Sequence, residues 1–68
     1  MQKISVSLSG HQTSISLENE FASALREIAA ARGKSTAALI AEIDATRKPD
    51  ENLSSAVRVW ILRQFMKN

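Results

Sequence analysis

The segment QTSISL carries polar side chains at every second position. Gln12, Ser14 and Ser16 alternate with three other residues, Thr13, Ile15 and Leu17. A period of two is typical of a half-buried β-strand, so the polar side chains should share the exposed face of that strand. Gln can make a bidentate hydrogen bond to adenine, and Ser can donate to or accept from a base of either type. The segment is therefore a candidate surface for contacts with base edges in double-stranded DNA.

Two other groups of residues could suggest catalysis or metal binding. His11 is the only histidine, and it has neither a cysteine in the chain nor an acid within six residues. The spacing of Glu42, Asp44, Asp50 and Glu51 matches no calcium-binding loop. The sequence therefore predicts no catalytic residue, no metal site and no cofactor, and His11 should face solvent or a phosphate.

The length of 68 residues predicts one domain, spanning 1–68, with a small core. A chain this short buries only about 60% of its unfolded surface, and the absence of cysteine excludes disulfides as an additional support. Oligomerisation is the remaining source of stability. There is no apolar run long enough to span a membrane and no cleavable leader pattern, so we expect a cytoplasmic protein.

Charge is unevenly distributed although the net charge is only +2. All seven acids lie between Glu18 and Glu51, while the two ends carry basic residues only, namely Lys3, Arg58, Arg63 and Lys67. A polyanion would be attracted to the ends of the chain, although three basic residues on one helix could equally serve only to solvate it.

Two amphipathic helices follow the strand, which spans residues 11–17. The first is predicted over 18–32, because its apolar residues recur at helical spacing and Gly33 provides a left-handed stop; these apolar residues are Phe21, Ala24, Leu25, Ile28 and Ala29. The second is predicted over 35–47, with Ser35 as N-cap and Pro49 beyond its end. Its buried stripe should be Leu39, Ile40 and Ile43.

A third helix is predicted over 53–67, capped by Asn52 or Ser54. Its apolar residues cover nearly the whole circumference, which only a few polar side chains interrupt, namely Arg58, Arg63, Gln64 and Lys67. A helix of this composition should be wedged between its own subunit and another. This pattern predicts a homodimer. The strand at residues 11–17 supports the same prediction, because it needs a partner strand and a second copy of the chain could provide one.

The residues before the strand allow two interpretations. Residues 3–9 alternate as cleanly as 12–17, and a two-residue turn at Ser9 and Gly10 would place the apolar faces of the two strands together. In that hairpin Leu8 pairs with His11, Val6 with Thr13, and Ile4 with Ile15. Alternatively, residues 1–10 form an extended arm that bends at Gly10.

Five motifs in this order resemble one known family. They are ISLENEF, LREIA, RGKST, ALIAEID and NLSSAVRVWIL, and the resemblance extends from about Gly10 to Leu62. The chain is similar to ribbon-helix-helix DNA-binding domains of the Arc and methionine repressor type, and in particular to a small bacterial group with a third carboxy-terminal helix. The resemblance implies a mainly α fold with a short β element, in which two intertwined protomers pair their strands into a ribbon that lies in the major groove.

Residue roles follow from this resemblance as expectations. The resemblance assigns base contacts to Gln12, Ser14 and Ser16. It assigns phosphate contacts to Lys34 and Ser35 at the start of the second helix. His11 is a further candidate for a phosphate contact. A shared dimer core would contain Ile15, Leu17, Phe21, Leu25, Ile40, Val57, Trp60 and Ile61.

Two functions remain open at this point. The first is a sequence-specific transcriptional regulator, a repressor acting on double-stranded DNA. The second keeps the dimer but gives the apolar carboxy-terminal helix to a protein partner, as an antitoxin docks its toxin. A hairpin in each protomer would make a four-stranded sheet, too wide for a groove of about 12 Å, so the first function favours the arm.

Overall fold

A β-hairpin followed by three helices makes up the computed structural model, which describes residues 1–67. The elements are β1 (Gln2–Leu8), β2 (His11–Leu17), α1 (Asn19–Ala31), α2 (Thr36–Thr46) and α3 (Leu53–Met66). This is the mainly helical fold with a short β element that the sequence predicted, with the ribbon-helix-helix order and an additional helix at the carboxy end. No helix within residues 1–67 is long and apolar enough to cross a membrane.

The hairpin decides between the two interpretations of the amino-terminal segment. β1 and β2 pair antiparallel over their full length, from Gln2 opposite Leu17 to Leu8 opposite His11. The extended arm over residues 1–10, which the width of the major groove favoured, is therefore wrong. The pairing of Ile4 with Ile15 keeps apolar side chains on one face of the sheet, and this packing offsets the cost of a serine in the turn.

The hairpin occupies only one edge of β2. We expected β2 to pair with the same strand from a second copy, and β1 of the same chain pairs with one edge of β2. Pairing with a second copy would use the other edge of β2 and stays a prediction.

The turn between the strands has two residues with left-handed backbone. Ser9 has φ of 51° and Gly10 has φ of 80°, the combination that defines a type I′ turn. This turn type matches the right-handed twist of the two strands. Ser9 is unfavourable there because an L-residue with a side chain seldom adopts positive φ.

Ser9→Asn should stabilise the protein, because Asn tolerates this backbone region better than Ser. We expect a gain on the order of 0.5–1 kcal/mol, which corresponds to an increase in melting temperature of about 2–8 °C for a domain of this size. Circular dichroism during heating measures it. Ser7→Asn, at an exposed strand position, is the matched control and should give no increase in melting temperature. A lower melting temperature for Ser9→Asn would contradict the assignment of left-handed backbone to this position of the turn.

The core is built almost equally from the hairpin and the three helices. Each of these four parts supplies three of the buried apolar side chains, which are Val6, Ile15, Leu17, Ala22, Leu25, Ala29, Leu39, Ile40, Ile43, Ala56, Val57 and Ile61. Six of the eight residues assigned to a dimer core are therefore buried within one protomer. The other two, Phe21 and Trp60, pack at the border of this core and are half-buried.

Local hydrogen bonds define the helix ends. The Ser35 hydroxyl accepts from the Ala38 amide at 3.0 Å at the start of α2. The Asn52 side-chain oxygen accepts from the Ser55 amide at 3.1 Å, so Asn52 is the cap of α3. Gly33, with φ of 67°, ends the turn after α1. These caps fix the directions in which α2 and α3 leave their loops.

Helix α3 buries one side and exposes the other. Val57 and Ile61 lie in the core, while four other apolar side chains of this helix are exposed, namely Val59, Leu62, Phe65 and Met66. We call these four residues the α3 apolar surface. This exposure agrees with the expectation that a single protomer cannot cover a helix that is apolar on nearly all sides.

Candidate nucleic-acid interface

The exposed side of the hairpin carries six polar side chains. Residues directly opposite each other in an antiparallel pair share one face of the sheet. Three such pairs, all exposed, form what we call the polar face: Lys3 with Ser16, Ser5 with Ser14, and Ser7 with Gln12. The structure thus brings together the three residues that the sequence assigned to base contacts.

The opposite side of the hairpin fixes the polar face on a rigid base. Val6 and Ile15 are buried, and β1 packs on α2 while β2 packs on α1 and α3. The guanidinium of Arg26 also donates a hydrogen bond to the Gln2 side chain, which ties the start of β1 to α1. The hairpin therefore contacts all three helices through its apolar side and one of them also through this hydrogen bond.

The outer edge of β2 carries an ion pair. Arg58 Nε donates to Glu18 Oε1 at 2.7 Å, and Arg58 Nη2 donates to the Ser16 carbonyl at 3.4 Å. The hydrogen bond from Arg58 lowers the pKa of the Glu18 carboxyl. Arg58 was one of the cations expected to attract a polyanion, but Glu18 offsets its charge.

The turn before α2 presents a helix start and one cation. The Lys34 ammonium forms an ion pair with Glu42, and both side chains are partly exposed. The Ser35 hydroxyl is occupied by the Ala38 amide. The first amides of a helix have no acceptor within the helix, so those of Thr36 and Ala37 are the groups that an anion could meet here.

The structure does not bring His11 to the polar face. His11 is exposed, but it lies opposite Leu8, on the side of the sheet that faces the helices. Its position beside the turn leaves it at the tip of the hairpin. Gln12, its neighbour in the chain, points to the other side because side chains alternate along a strand.

Sequence reasoning missed the contribution of β1. Residues 3–9 were recognised as an alternating segment, but Lys3, Ser5 and Ser7 were not assigned to a site. The hairpin register could have identified them, because it pairs each of these three residues with a β2 residue that was assigned to base contacts.

Trp60 is covered by its own chain. The Arg32 guanidinium lies 5.0 Å from the centre of the Trp60 ring, and Arg32 also donates to the Gln64 side chain at 2.9 Å. This cation–π contact occupies the ring face that a base would need for stacking. Within residues 1–67 we find no pocket and no group of three His, Asp or Glu side chains close enough to hold a metal ion.

Comparison with known proteins gives one match. The sequence model of a family described as a ribbon-helix-helix domain matches residues 1–65. This range includes the hairpin, α1, α2 and all but the last residue of α3. No curated protein and no solved structure matches the chain.

Proposed function

The chain belongs to the ribbon-helix-helix family, whose domains are generally DNA-binding modules of transcription regulators and not enzymes, and on that basis we propose that it recognises a specific sequence in double-stranded DNA. Its target is a short palindromic or repeated operator, where it acts as a transcriptional regulator, in the simplest case as a repressor. The observation that carries this proposal is the polar face, an exposed polar surface on a two-stranded ribbon.

The dimensions and the chemistry of the polar face support entry into the major groove. Paired strands lie about 4.8 Å apart, and the groove of about 12 Å admits two of them. Gln12 is suited to adenine through two hydrogen bonds, and Ser14 and Ser16 can donate to or accept from a base of either type. All three side chains are exposed on the polar face.

Phosphate contacts are assigned to the start of α2. The amides of Thr36 and Ala37 and the positive end of the helix dipole favour an anion. Lys34 adds a cation if its ammonium leaves Glu42 for a phosphate, a small cost because exposed ion pairs contribute little. His11, at the tip of the hairpin, is proposed to meet the phosphate backbone rather than a base.

The test of this function is the affinity for DNA taken from upstream of the coding region of the protein. Fluorescence anisotropy at about 0.15 M salt should show binding at least about 10³-fold tighter than to unrelated DNA of equal length. Equal affinity for both duplexes would overturn sequence recognition. No binding to either would overturn DNA binding altogether.

Lys34→Ala should weaken binding to all duplexes alike, because a phosphate contact is independent of sequence. The slope of log affinity against log salt should fall by about one counterion. Glu42→Gln is the matched control: it removes the ion-pair partner but keeps the lysine, so the slope should not fall. An unchanged slope in Lys34→Ala would remove this residue from the interface.

We further propose a homodimer, supported by the α3 apolar surface. Four large apolar side chains exposed on one helix are more than a small soluble domain normally presents together. Size-exclusion chromatography with light scattering at micromolar concentration should give twice the chain mass of 7.5 kDa. A folded monomer at that concentration would contradict the dimer.

The α3 apolar surface also favours a second candidate function. It could dock a protein partner, as an antitoxin docks its toxin, with weak or no DNA binding. The DNA titration separates the two, because this candidate predicts no operator complex while a bound partner should protect Leu62 and Phe65 from solvent.

A further inference from the structure

We propose that β1 lies along the phosphate backbone at the border of the major groove, where Lys3 contacts a phosphate, while the β2 strands of two chains pair inside the groove. This inference rests on the proposed function and on the expected pairing of β2 with a second copy. It adds one phosphate-binding strand to each side of the two-stranded ribbon. Lys3 is thus a DNA contact in addition to those at the start of α2 and at His11.

The free edge of β2 permits this arrangement. The two-residue turn closes with a hydrogen-bonded pair between Leu8 and His11, and hydrogen-bonded and non-hydrogen-bonded pairs then alternate along the hairpin. The backbone groups of Gln12, Ser14 and Ser16 therefore point away from β1. A second copy that pairs with this edge gives a four-stranded sheet, with the β2 strands in the middle and one β1 strand on each outside.

One side chain of the same protomer contacts this edge. Arg58 Nη2 donates to the Ser16 carbonyl at 3.4 Å, which is long for a hydrogen bond of this type. Arg58 Nε is held separately by Glu18 Oε1 at 2.7 Å. A backbone amide of the second copy can replace the longer contact while the ion pair with Glu18 stays in place.

The width of the four-stranded sheet determines where its outer strands meet DNA. Neighbouring strands lie about 4.8 Å apart, so each β1 strand runs about 7 Å from the middle of the sheet. The major groove is about 12 Å wide, so each of its borders lies about 6 Å from the middle. The β2 pair therefore lies within the groove, and each β1 strand lies over one of the phosphate chains that border it.

The side chains of the two strands suit these two positions. On the polar face, β2 carries one glutamine and two serines, which are uncharged and can form hydrogen bonds with base edges. On the same face, β1 carries Lys3, Ser5 and Ser7. Lysine and serine side chains both commonly bind phosphate oxygens. The two serines are also short, so they allow the backbone of β1 to approach a phosphate chain closely.

Lys3 is the only charged residue in the two strands, apart from any protonated His11. Its side chain is exposed, and none of the ion pairs within residues 1–67 includes it. Lys34 and Arg58, by contrast, are each paired with a glutamate. A phosphate can therefore bind the Lys3 ammonium without first breaking an ion pair.

Removing the charge of Lys3 tests this contact by fluorescence anisotropy over a range of salt concentrations. In Lys3→Ala the slope of log affinity against log salt should fall by about one counterion for each bound chain, on the preferred and an unrelated duplex alike. Lys3→Arg keeps the charge and should keep the slope. Lys48→Ala removes an equal charge from an exposed position between α2 and α3 and should leave the slope nearly unchanged.

Adding a charge to β1 tests the same border without using Lys3. Ser5→Lys should raise the slope by about one counterion for each bound chain and strengthen binding to both duplexes by a similar factor. Ala45→Lys adds the same charge at an exposed position in the last turn of α2, where a cation is favourable, and should raise the slope less. Circular dichroism must first show native structure, and Ser7→Lys replaces Ser5→Lys if that variant does not fold.

The outcomes separate this inference from the proposed function. A lower slope for Lys3→Ala and a higher slope for Ser5→Lys, each relative to its control, support a β1 strand on the phosphate backbone. Slopes equal to those of the controls, with the preference for one duplex retained, overturn the inference and leave the proposed function standing. A change of preferred sequence in Ser5→Lys would place β1 among the bases and also overturn it. If the wild-type protein has no preferred duplex, the proposed function itself fails.

Discussion

Ile61→Ala is expected to lower the free energy of unfolding by about 2–5 kcal/mol. Ile61 is only 2% exposed and packs in the same core as Leu25 and Ile40. The total stability of a domain of this size is about 3–10 kcal/mol, so the variant should be partly or fully unfolded at room temperature. Urea denaturation followed by circular dichroism measures the loss. The reason is that α3 completes a core that the hairpin and two helices cannot close alone.

Leu62→Ala is the matched control, one residue further along the same helix. Leu62 is 54% exposed, so its replacement should cost less than about 1 kcal/mol in dilute solution. Equal losses in the two variants at low concentration would mean that α3 is not oriented as described. A loss in Leu62→Ala that grows with protein concentration would instead place Leu62 in a dimer interface, since the stability of a dimer depends on concentration.

Gln12→Ala should lose about 1–3 kcal/mol of binding free energy on the preferred duplex, a factor of roughly 5–150 in affinity. Binding to unrelated DNA should hardly change, because that binding depends on phosphate contacts. The physical reason is the loss of a bidentate hydrogen bond to a base edge. Parallel titrations of the preferred and an unrelated duplex measure both effects.

Gln2→Ala provides the control for this variant within the same hairpin. Gln2 lies opposite Leu17, on the side of the sheet turned to the helices, and should not touch a base. Its replacement should preserve the preference for the operator. If Gln12→Ala also preserves it, while changes at Arg63 and Lys67 abolish binding, the binding surface lies on α3 and not on the hairpin.

The sequence predicted the fold class because its periodic patterns are strong. The apolar residues of α1 recur at helical spacing, and the alternation around Ile15 is that of a strand with one buried face. The sequence left the hairpin and the extended arm both open for a different reason. The apolar register favoured the hairpin, whereas the width of the major groove favoured the arm. The packing of Ile4 against Ile15 is the physically stronger argument.

Contacts between long side chains lie beyond what periodicity can predict. Arg58 reaches Glu18 across 40 positions of the chain, and Arg32 lies over Trp60. Both contacts depend on how α3 packs against α1 and β2, which is set by the tertiary fold. The sequence therefore showed where cations are concentrated but not which of them were already paired, as Arg58 is with Glu18 and Lys34 with Glu42.

Selection from a pool of randomised DNA duplexes tests the central claim most directly, namely that the polar face of the hairpin recognises sequence. After several rounds with the wild-type protein at about 0.15 M salt, sequencing should reveal one enriched motif that contains an adenine preference. The same selection with Gln12→Ala should yield the motif with that one position relaxed, since each mismatched base pair contributes about 1–3 kcal/mol. A pool that stays random with the wild-type protein, or a motif identical for both proteins, would contradict the account.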